Sequence, residues 1–206
     1  MAKLTFLGGI HPYDGKDLSK DKPIVTVLPK GELVYPLSQH IGAPATAIVA
    51  KGDRVLVGQK IAEATGFVSA PIYASVSGTV KAIEPRRVVT GDSVMSIIVE
   101  NDGQYEEKEN MLSVKPLEDM SKEDIITAVK EAGIVGMGGA TFSTSIKSAV
   151  DAEIDTLIAN ACECEPYITS DSVTMVDHTD DIELAIKTLV KYFNIQKTIL
   201  LYYINS

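Results

Sequence analysis

Cysteine, tryptophan and long apolar runs are scarce or missing in this sequence. Its 206 residues include no Trp and only two Cys, which are Cys162 and Cys164. Two cysteines exclude a secreted fold held by several disulfides, and an iron–sulfur cluster usually needs about four thiolates. A spacing of one residue would also strain a disulfide between the pair. We therefore expect no structural disulfide and no cluster held by this chain alone.

Basic residues are also scarce in comparison with acidic ones. The 28 Asp and Glu residues outnumber the 19 Lys and Arg residues, and the formal net charge is −9. An acidic surface repels phosphate backbones, so we expect no nucleic-acid partner. No apolar run approaches the roughly 20 residues that cross a bilayer, and the first residues lack the pattern of a signal peptide. The sequence therefore predicts a cytosolic protein, which could still lie at a membrane through its partners.

The composition that is present is typical of an ordered protein with one or two domains. Hydrophobic residues make up 45% of the chain and charged residues 23%, which is ordinary for globular proteins. The chain changes character near residue 110, so we predict a β domain over residues 1–110 and an α/β domain over residues 111–206. The strand-like runs of the first part are Ile24–Leu28, Ala47–Ala50, Val55–Val57, Gly78–Ile83 and Val94–Val99.

A weak internal repeat lies in the first part. Residues 51–55 (KGDRV) recur as residues 90–94 (TGDSV), and each Gly-Asp pair predicts a tight turn that leads into a strand. Together with residues 69–84, predicted as strand–turn–strand, this pattern resembles the barrel-sandwich hybrid of biotinyl and lipoyl domains. A carrier domain would present a lysine at the tip of that hairpin, whereas residues 76–79 (VSGT) contain none. We favour an unmodified structural β domain over a carrier domain.

Helices and strands alternate in the second part. The predicted elements are a capped helix from Ser121 to Gly133, a short helix ending near Val150, a buried strand over Ile154–Ala159, a polar loop over Asn160–Asp171, an amphipathic helix over Asp180–Phe193 and a buried strand over Lys197–Tyr203. Continuous apolar strands separated by helices favour a parallel sheet with covering helices. Two strong strands make this an incomplete, Rossmann-like sheet, because a doubly wound domain normally has more.

The first motif that could carry chemistry is rich in glycine. Gly133, Gly136, Gly138 and Gly139 lie close together, and Lys147 follows after one or two helical turns. Glycines let a backbone approach a phosphate or a flat ring, and a lysine can neutralise phosphate. The spacing is neither a Walker A loop nor a Rossmann fingerprint. A cofactor cradle and a flexible turn between two helices both stay open on spacing alone.

The second motif is residues 160–167 (NACECEPY), which follow a predicted strand. Ligands of open α/β sheets bind at the carboxyl ends of strands. In an extended conformation, Cys162 and Cys164 would face one way, and Glu163 and Glu165 the other. The alternatives are a cofactor site, a metal site completed by outside ligands, and a solvated loop with incidental cysteines. The 3 histidines share no ligand spacing, and we assign none to catalysis.

These motifs, taken together, resemble a known family. Residues 136–147 (GMGGATFSTSIK) resemble the FMN-binding loop of the flavin subunit of respiratory complex I, G-x-G-G-A-G-F-P-T-G-x-K. Residues 160–167 are similar to N-x-x-E-C-E-P of the C subunit of Rnf-type electron transport complexes. Three N-terminal segments also look like that subunit: GGIHP at residues 8–12, PLSQHIGAPA at residues 36–45 and KGDRVLVGQKIAE at residues 51–63. The resemblance covers residues 6 to about 201.

The resemblance implies a peripheral subunit on the cytoplasmic side of the cell membrane. The family belongs to an ion-translocating NADH:ferredoxin oxidoreductase, so the implied partners are other Rnf subunits, NADH and, indirectly, ferredoxin. The implied cofactors are FMN and NADH, with two [4Fe-4S] clusters in the longer family members only. Two alternatives to this function stay open: an electron-transfer protein of a proline-reductase system, and a non-catalytic docking and assembly module. The implied fold is a barrel-sandwich-hybrid β domain followed by an incomplete Rossmann-like FMN-binding domain.

Site residues follow from the resemblance position by position. Those implied to contact FMN are Gly136, Gly138, Lys147, Asn160 and Glu163. Those implied to face the nicotinamide nucleotide are Gly139, Ala140, Phe142 and Glu165. No catalytic side chain and no metal ligand are implied, since hydride transfer is the chemistry of the cofactors.

The sequence departs from the complex I pattern at several positions. Ser143 stands where the pattern has Pro, Thr141 and Ser145 stand where it has Gly, and Cys162 stands where it has Asp. The last change removes an acceptor for the ribityl chain. The family also continues well past residue 206. We therefore expect a fragment that is inactive in isolation.

Overall fold

The computed structural model describes residues 13–109, 115–137, 141–149 and 152–202. The chain divides into two compact units. The first unit is Val27–Asp151, and the second unit joins Met1–Thr26 to Ala152–Ser206. The helical residues up to 149 thus cluster with the β-rich part. The domain boundary expected near residue 110 stays a prediction.

The first unit contains two antiparallel sheets. Its strands are β1 (Glu32–Pro36), β2 (Thr46–Ala47), β3 (Arg54–Val55), β4 (Lys60–Glu63), β5 (Ile72–Tyr73), β6 (Gly78–Arg87) and β7 (Ser93–Asn101). One sheet has the order β1-β7-β6-β3 and the other the order β2-β4-β5. Strands β6 and β7 form the long central pair, from Gly78 opposite Asn101 to Arg87 opposite Ser93.

A single apolar core lies between the two sheets. Val80 and Ile97 face it from one sheet, and Ile61 and Ile72 face it from the other. The three consecutive residues Ile97–Val99 of β7 are all fully buried, so this strand is covered on both faces. Two sheets packed face to face over one core are the sandwich that the sequence predicts.

The repeated turns of this unit are confirmed. Gly52 and Gly91 both have a left-handed backbone, with φ of 96° and 91°. In the first turn the Asp53 N–H donates to the Ala50 carbonyl at 3.1 Å, and in the second turn the Gly91 N–H donates to the Val88 carbonyl at 2.9 Å. Because only glycine adopts this conformation without strain, the Gly-Asp pair sets the turn in both copies.

Two expectations for the β-rich part are wrong. Ile24–Leu28 has no strand partner among the described residues, and its side chains are exposed. Residues 76–79 are not a hairpin tip, because β5 and β6 belong to different sheets. Val76 and Ser77 there are fully buried. Most of this segment is therefore enclosed by the core, and Thr79 at its end is exposed.

Two helices complete the first unit. Helix α1 (Lys122–Glu131) has the predicted capping box, in which Ser121 and Asp124 exchange side-chain and backbone hydrogen bonds. Gly133, with φ of 68°, follows its end. Lys60 of β4 pairs with Glu131 at 2.8 Å, and the Tyr73 hydroxyl donates to the Glu131 carbonyl. Helix α2 (Thr144–Ser148) is the predicted short helix.

In its described residues, the second unit contains a parallel pair of strands, two α-helices and a short 3-10 helix (Lys16–Leu18). The strands and α-helices are β8 (Thr156–Ala161), α3 (Ser170–Asp177), α4 (Thr179–Phe193) and β9 (Lys197–Tyr202). The pair runs in register from Thr156 opposite Lys197 to Ala161 opposite Tyr202, which confirms the predicted parallel sheet. Helix α3 was not predicted, because its sequence SDSVTMVD has β-branched residues and no clear apolar stripe.

The expectation that both strands are buried is wrong for the described part of the chain. No residue of β8 or β9 is buried there, and Ile158 is 55% exposed. Two strands alone leave most of the sheet surface and both outer edges uncovered. No helix among the described residues has the length and apolar character needed to cross a membrane.

Candidate functional site

The glycine-rich segment forms a loop closed by a short antiparallel bridge. Val135 pairs with Ser143 in that bridge. The N–H of Gly136 donates to the Phe142 carbonyl at 2.8 Å, and the N–H of Thr144 donates to the Ile134 carbonyl at 3.1 Å. Gly138, Gly139 and Ala140 lie outside the described residues. The bridge therefore brings both ends of the predicted loop together at the start of α2.

Lys147 projects from α2 toward the near end of this loop. A Cβ atom built on Gly136 would lie 3.7 Å from the Lys147 Nζ and 3.6 Å from the backbone of Phe142. The Nζ also lies 5.9 Å from the centroid of the Phe142 ring. Among the residues that the structure describes, no carboxylate forms an ion pair with Lys147. Gly136, Phe142 and Lys147 thus form one group that carries a positive charge.

The departures from the complex I pattern have structural consequences in this loop. Ser143 and Ser145 are buried, and their hydroxyls bond each other at 2.9 Å. Thr141 has φ of 47°. This left-handed conformation is strained for a β-branched residue and suits the glycine of the pattern better. The chain therefore keeps the loop conformation of a glycine while carrying a threonine.

The second motif follows directly from β8. The side-chain oxygen of Asn160 accepts a hydrogen bond from the Cys162 N–H at 3.1 Å. The Cys164 thiol donates weakly to the Cys162 carbonyl at 3.4 Å, and both cysteines are free. Among the described residues, no group of three or more His, Cys, Asp or Glu side chains is placed to hold a metal ion.

Glu163 is the most enclosed acidic group of this motif. Its side chain is 8% exposed. One carboxylate oxygen accepts hydrogen bonds from the Ser170 hydroxyl at 2.8 Å and from the Asp171 N–H at 3.1 Å. Burial opposes ionisation, but the hydrogen bonds from Ser170 and Asp171 outweigh it and lower the pKa of Glu163. The carboxylate is therefore ionised and stabilises the first turn of α3.

The two carboxylates of the motif differ in environment, although an extended strand would place them on one face. Glu165 is exposed, whereas Glu163 faces the interior of its unit. The loop is not extended throughout, since Tyr167 has φ of 66°. Asn160, Glu163 and Glu165 belong to the second unit, and Gly136, Phe142 and Lys147 to the first.

Sequence reasoning missed Lys16. This lysine is 6% exposed, and its ammonium donates to the backbone carbonyls of Glu165 at 3.0 Å and Ile168 at 2.7 Å. Its Nζ is also 4.0 Å from a carboxylate oxygen of Glu163. Lys16 lies in a polar run that gives no hint of burial. The pairing with Glu165 spans 149 residues, so a local pattern could not reveal it.

A cavity of about 370 Å³ opens beside this motif. It lies at the last residues of both parallel strands, Ala161 and Tyr202, and Lys16 and Glu163 form part of its wall. This is the edge at which open α/β sheets bind ligands. The motif thus combines a strand end, an acidic group and a concave surface.

Comparison with known proteins agrees with this architecture. Residues 4–104 match the RnfC barrel sandwich hybrid domain, and residues 129–204 match the Nuo51 FMN-binding domain. The chain is 42% identical over 195 residues to the C subunit of a Na⁺-translocating ferredoxin:NAD⁺ oxidoreductase complex from Acetobacterium woodii. It is 38% identical over 195 residues to the C subunit of a proton-translocating ferredoxin:NAD⁺ oxidoreductase complex from Clostridium ljungdahlii. A third relative, 41% identical over 180 residues, is the C subunit of an ion-translocating oxidoreductase complex from Vibrio cholerae.

The matches cover most of this chain but a smaller part of its relatives. They include 94%, 94% and 86% of this chain in the order given. They include 44%, 43% and 23% of the relatives, so the chain spans less than half of their length.

Fold and motifs together define a class of protein: a barrel-sandwich-hybrid domain followed by an FMN-binding domain of the complex I type. Within that class, the chain belongs to the RnfC family, the C subunits of Rnf-type electron transport complexes. The resemblance drawn from its motifs is confirmed, and so is the fold class. The assignment of individual residues to FMN or to the nicotinamide nucleotide stays a prediction.

Proposed function

We propose that this chain is part of a peripheral subunit of a membrane-bound, ion-translocating NADH:ferredoxin oxidoreductase complex. The subunit would lie on the cytoplasmic side and bind FMN and NADH. Its electrons would pass to [4Fe-4S] clusters, which the longer family members carry and this chain does not hold, and ferredoxin would be reached indirectly. The match of residues 129–204 to an FMN-binding domain carries this proposal, because that range contains both motifs.

FMN would be held by glycine backbone, by one charged side chain and by two side chains with oxygen acceptors. Gly136 and Gly138 would admit the cofactor to the loop backbone, and Lys147 would neutralise its phosphate. Asn160 and Glu163 would bind its hydroxyl groups, since their oxygens are acceptors. When bound, FMN would accept two electrons as a hydride and release them one at a time.

The nicotinamide nucleotide would lie against the other predicted residues. Gly139 and Ala140 have no side chain or a small one and would let the nucleotide approach closely, and the half-buried ring of Phe142 would offer an apolar face. The exposed carboxylate of Glu165 can accept hydrogen bonds from ribose hydroxyls. No nucleic acid is expected as a partner, because the net charge is −9.

A docking or assembly module that binds no flavin is the second candidate. It is favoured by one observation, which is that Glu163 already has internal partners in Ser170, Asp171 and Lys16. A proline-reductase electron-transfer protein is the third, and the genes beside this one would distinguish it from an Rnf subunit. A flavin titration separates the first two candidates.

The test is an NMR titration of the chain with FMN. We expect binding weaker than about 1 μM, since a ligand site normally buries most of its ligand and this chain spans only 44% of the length of its Acetobacterium woodii relative. Shifted amides should lie in residues 134–149 and 156–171. Lys147→Ala should weaken binding about tenfold or more, since a charge-assisted phosphate contact contributes roughly 1.5–3 kcal/mol.

Lys51→Ala is the matched control, because it removes the same charge from an exposed turn of the same unit. It should leave the FMN titration unchanged. If FMN shifts no amide in either motif, the assembly module replaces the flavin-binding role as the proposed function. Equal weakening by both variants would mean that only net charge matters.

A further inference from the structure

The first described residues hold the second motif through a set of long-range hydrogen bonds. We call residues 13–20 the N-terminal clamp and residues 160–169 the acidic loop. Lys16 of the clamp donates to the carbonyls of Glu165 and Ile168 at 3.0 Å and 2.7 Å. The lysine is 6% exposed, although lysines are almost never buried without partners. Its ammonium therefore links the two ends of one turn of the loop.

Backbone and ring contacts reinforce that link at Tyr167. Its N–H donates to the Asp14 carbonyl at 2.6 Å, and its carbonyl accepts from the Ser19 hydroxyl at 2.7 Å. A Cβ atom on Gly15 would overlap the Tyr167 ring, so the clamp packs directly on that ring. The Tyr13 ring meets it edge to face, with centroids 6.4 Å apart. The clamp thus fixes both the backbone and the side chain of Tyr167.

The Lys16 ammonium also lies near Glu163, the residue of the acidic loop that is predicted to bind FMN. Lys16 Nζ lies 4.0 Å from one oxygen of Glu163, while the other oxygen is held by Ser170 and Asp171. An ammonium group has three donors, and here it faces three oxygens. An apolar residue at this position would leave two carbonyls without their donor and would remove the positive charge that lies near the Glu163 carboxylate.

From these contacts we propose that Lys16 is a positioning residue for the flavin site. It holds the acidic loop in the conformation in which Asn160 and Glu163 bind FMN. The proposal rests on the proposed function for its ligand, whereas the clamp itself is a property of the chain. Lys16 acts through the loop and does not contact the reacting atoms.

The experiment compares Lys16→Met with Lys20→Met in the full chain. Lys20 lies in the same clamp and lines the same cavity, but it pairs with Asp17 at 2.5 Å and makes no hydrogen bond to the described residues of the acidic loop. In the Lys16→Met variant, exchange of the Tyr167 and Asp171 amide hydrogens should accelerate about tenfold or more, because each depends on the ordered loop. Exchange in the strands of the first unit should not change, and Lys20→Met should behave like the parent chain.

Two further measurements separate positioning from general stability. The pKa of the Glu163 carboxyl, followed by its carbon resonance, should rise in Lys16→Met because a nearby positive charge is removed. FMN should then shift the amides of residues 160–163 about tenfold less at a fixed FMN concentration, while the shifts in residues 134–149 persist. If the Lys16→Met substitution unfolds the whole second unit, the Ser19→Ala variant tests the clamp instead. We expect the Tyr167 amide hydrogen of that variant to exchange severalfold faster than in the parent chain.

The outcomes test the existence of the clamp separately from the binding of flavin. Unchanged exchange at Tyr167 and Asp171 in Lys16→Met and Ser19→Ala would overturn the clamp. Faster exchange with unchanged FMN shifts at residues 160–163 would overturn the positioning role. FMN shifts missing from the parent chain would overturn the proposed function and the ligand half of this proposal, while the exchange result would still decide the clamp.

Discussion

At the scale of single residues, Ser77 is a well-connected polar side chain of the first unit. It is fully buried, and its hydroxyl donates to the Asp102 carboxylate at 2.7 Å and accepts from the Glu106 N–H at 3.0 Å. Arg54 joins Asp102 and Glu106 from β3, at 3.0 Å and 2.7 Å. One hydroxyl thus ties the start of β6 to the segment after β7.

Ser77→Ala should destabilise the first unit by about 1–3 kcal/mol, because it removes the hydrogen bond to the Asp102 carboxylate and the acceptor of the Glu106 N–H. Urea unfolding followed by circular dichroism measures this difference. Ser93→Ala, at an exposed position at the start of β7, is the control and should have little effect. Equal effects of the two substitutions would show that the Ser77 hydroxyl has no special role.

The same network predicts a dependence on acid. The hydroxyl of Ser77, and then the N–H of Gln104, hold the pKa of Asp102 below its usual value. Because the folded pKa is lower than the unfolded one, the contribution of Asp102 is complete above the unfolded pKa. It is lost as the pH falls through the folded pKa. Ser77→Ala should therefore reduce the loss of stability between neutral pH and about pH 3, measured by urea unfolding at each pH.

Residue patterns predicted local features of the sites and missed distant ones. The Gly-Asp turns and the group around Lys147 are set by residues close in sequence, so the motifs revealed them. Lys16 meets Glu163 only after the chain has folded, and nothing near Lys16 in the sequence requires an acidic partner. Its burial is a property of tertiary structure, which single-sequence patterns do not carry.

At the scale of elements, α1 shows how far a local pattern can specify structure. Ser121 accepts from the Asp124 N–H at 3.1 Å, and the Asp124 carboxylate accepts from the Ser121 N–H at 3.0 Å. That second bond, with Lys115 beside it, lowers the pKa of Asp124. The cap is complete within four residues, so the sequence could predict it.

Ser121→Ala should destabilise the first unit by about 1 kcal/mol, because the first turn of α1 loses its side-chain cap. Ser121→Asp should retain most of the stability, since Asp is also a good N-cap residue. Urea unfolding of the three chains gives the comparison. An alanine chain as stable as the parent would mean that packing of α1 on the β sandwich, not its cap, determines its start.

Short strands and α3 illustrate the limits of prediction at this scale. β3 and β5 contain two residues each, and they exist because longer neighbours pair with them. Ile24–Leu28 has the composition of a strand but no partner among the described residues, so it stays unpaired. α3 begins where Glu163 of the preceding loop caps it, a signal that its own residues lack. Whether each of these segments forms a strand or a helix therefore depends on pairing or capping partners that lie outside the segment.

At the scale of the whole molecule, the two units differ in how much apolar surface they bury. The first unit has a core of fully buried side chains that includes Val55, Ile61, Ile97 and Val99. In the described part of the second unit, the buried residues are Gly15, Lys16 and Ile195. Buried apolar area provides about 25 cal/mol per Å², so the first unit has the larger driving force for folding.

This difference predicts two levels of protection in hydrogen exchange of the chain. Amides of β6 and β7 should exchange only by unfolding of the whole first unit, whereas amides of β8 and β9 should exchange faster by at least about a hundredfold. FMN at saturating concentration should slow β8 and β9 selectively, because a ligand stabilises the state that binds it. Mass spectrometry of peptides from both regions measures this. Equal protection of the two strand pairs would contradict the prediction, since it would show that the exposed parallel pair unfolds together with the buried sandwich.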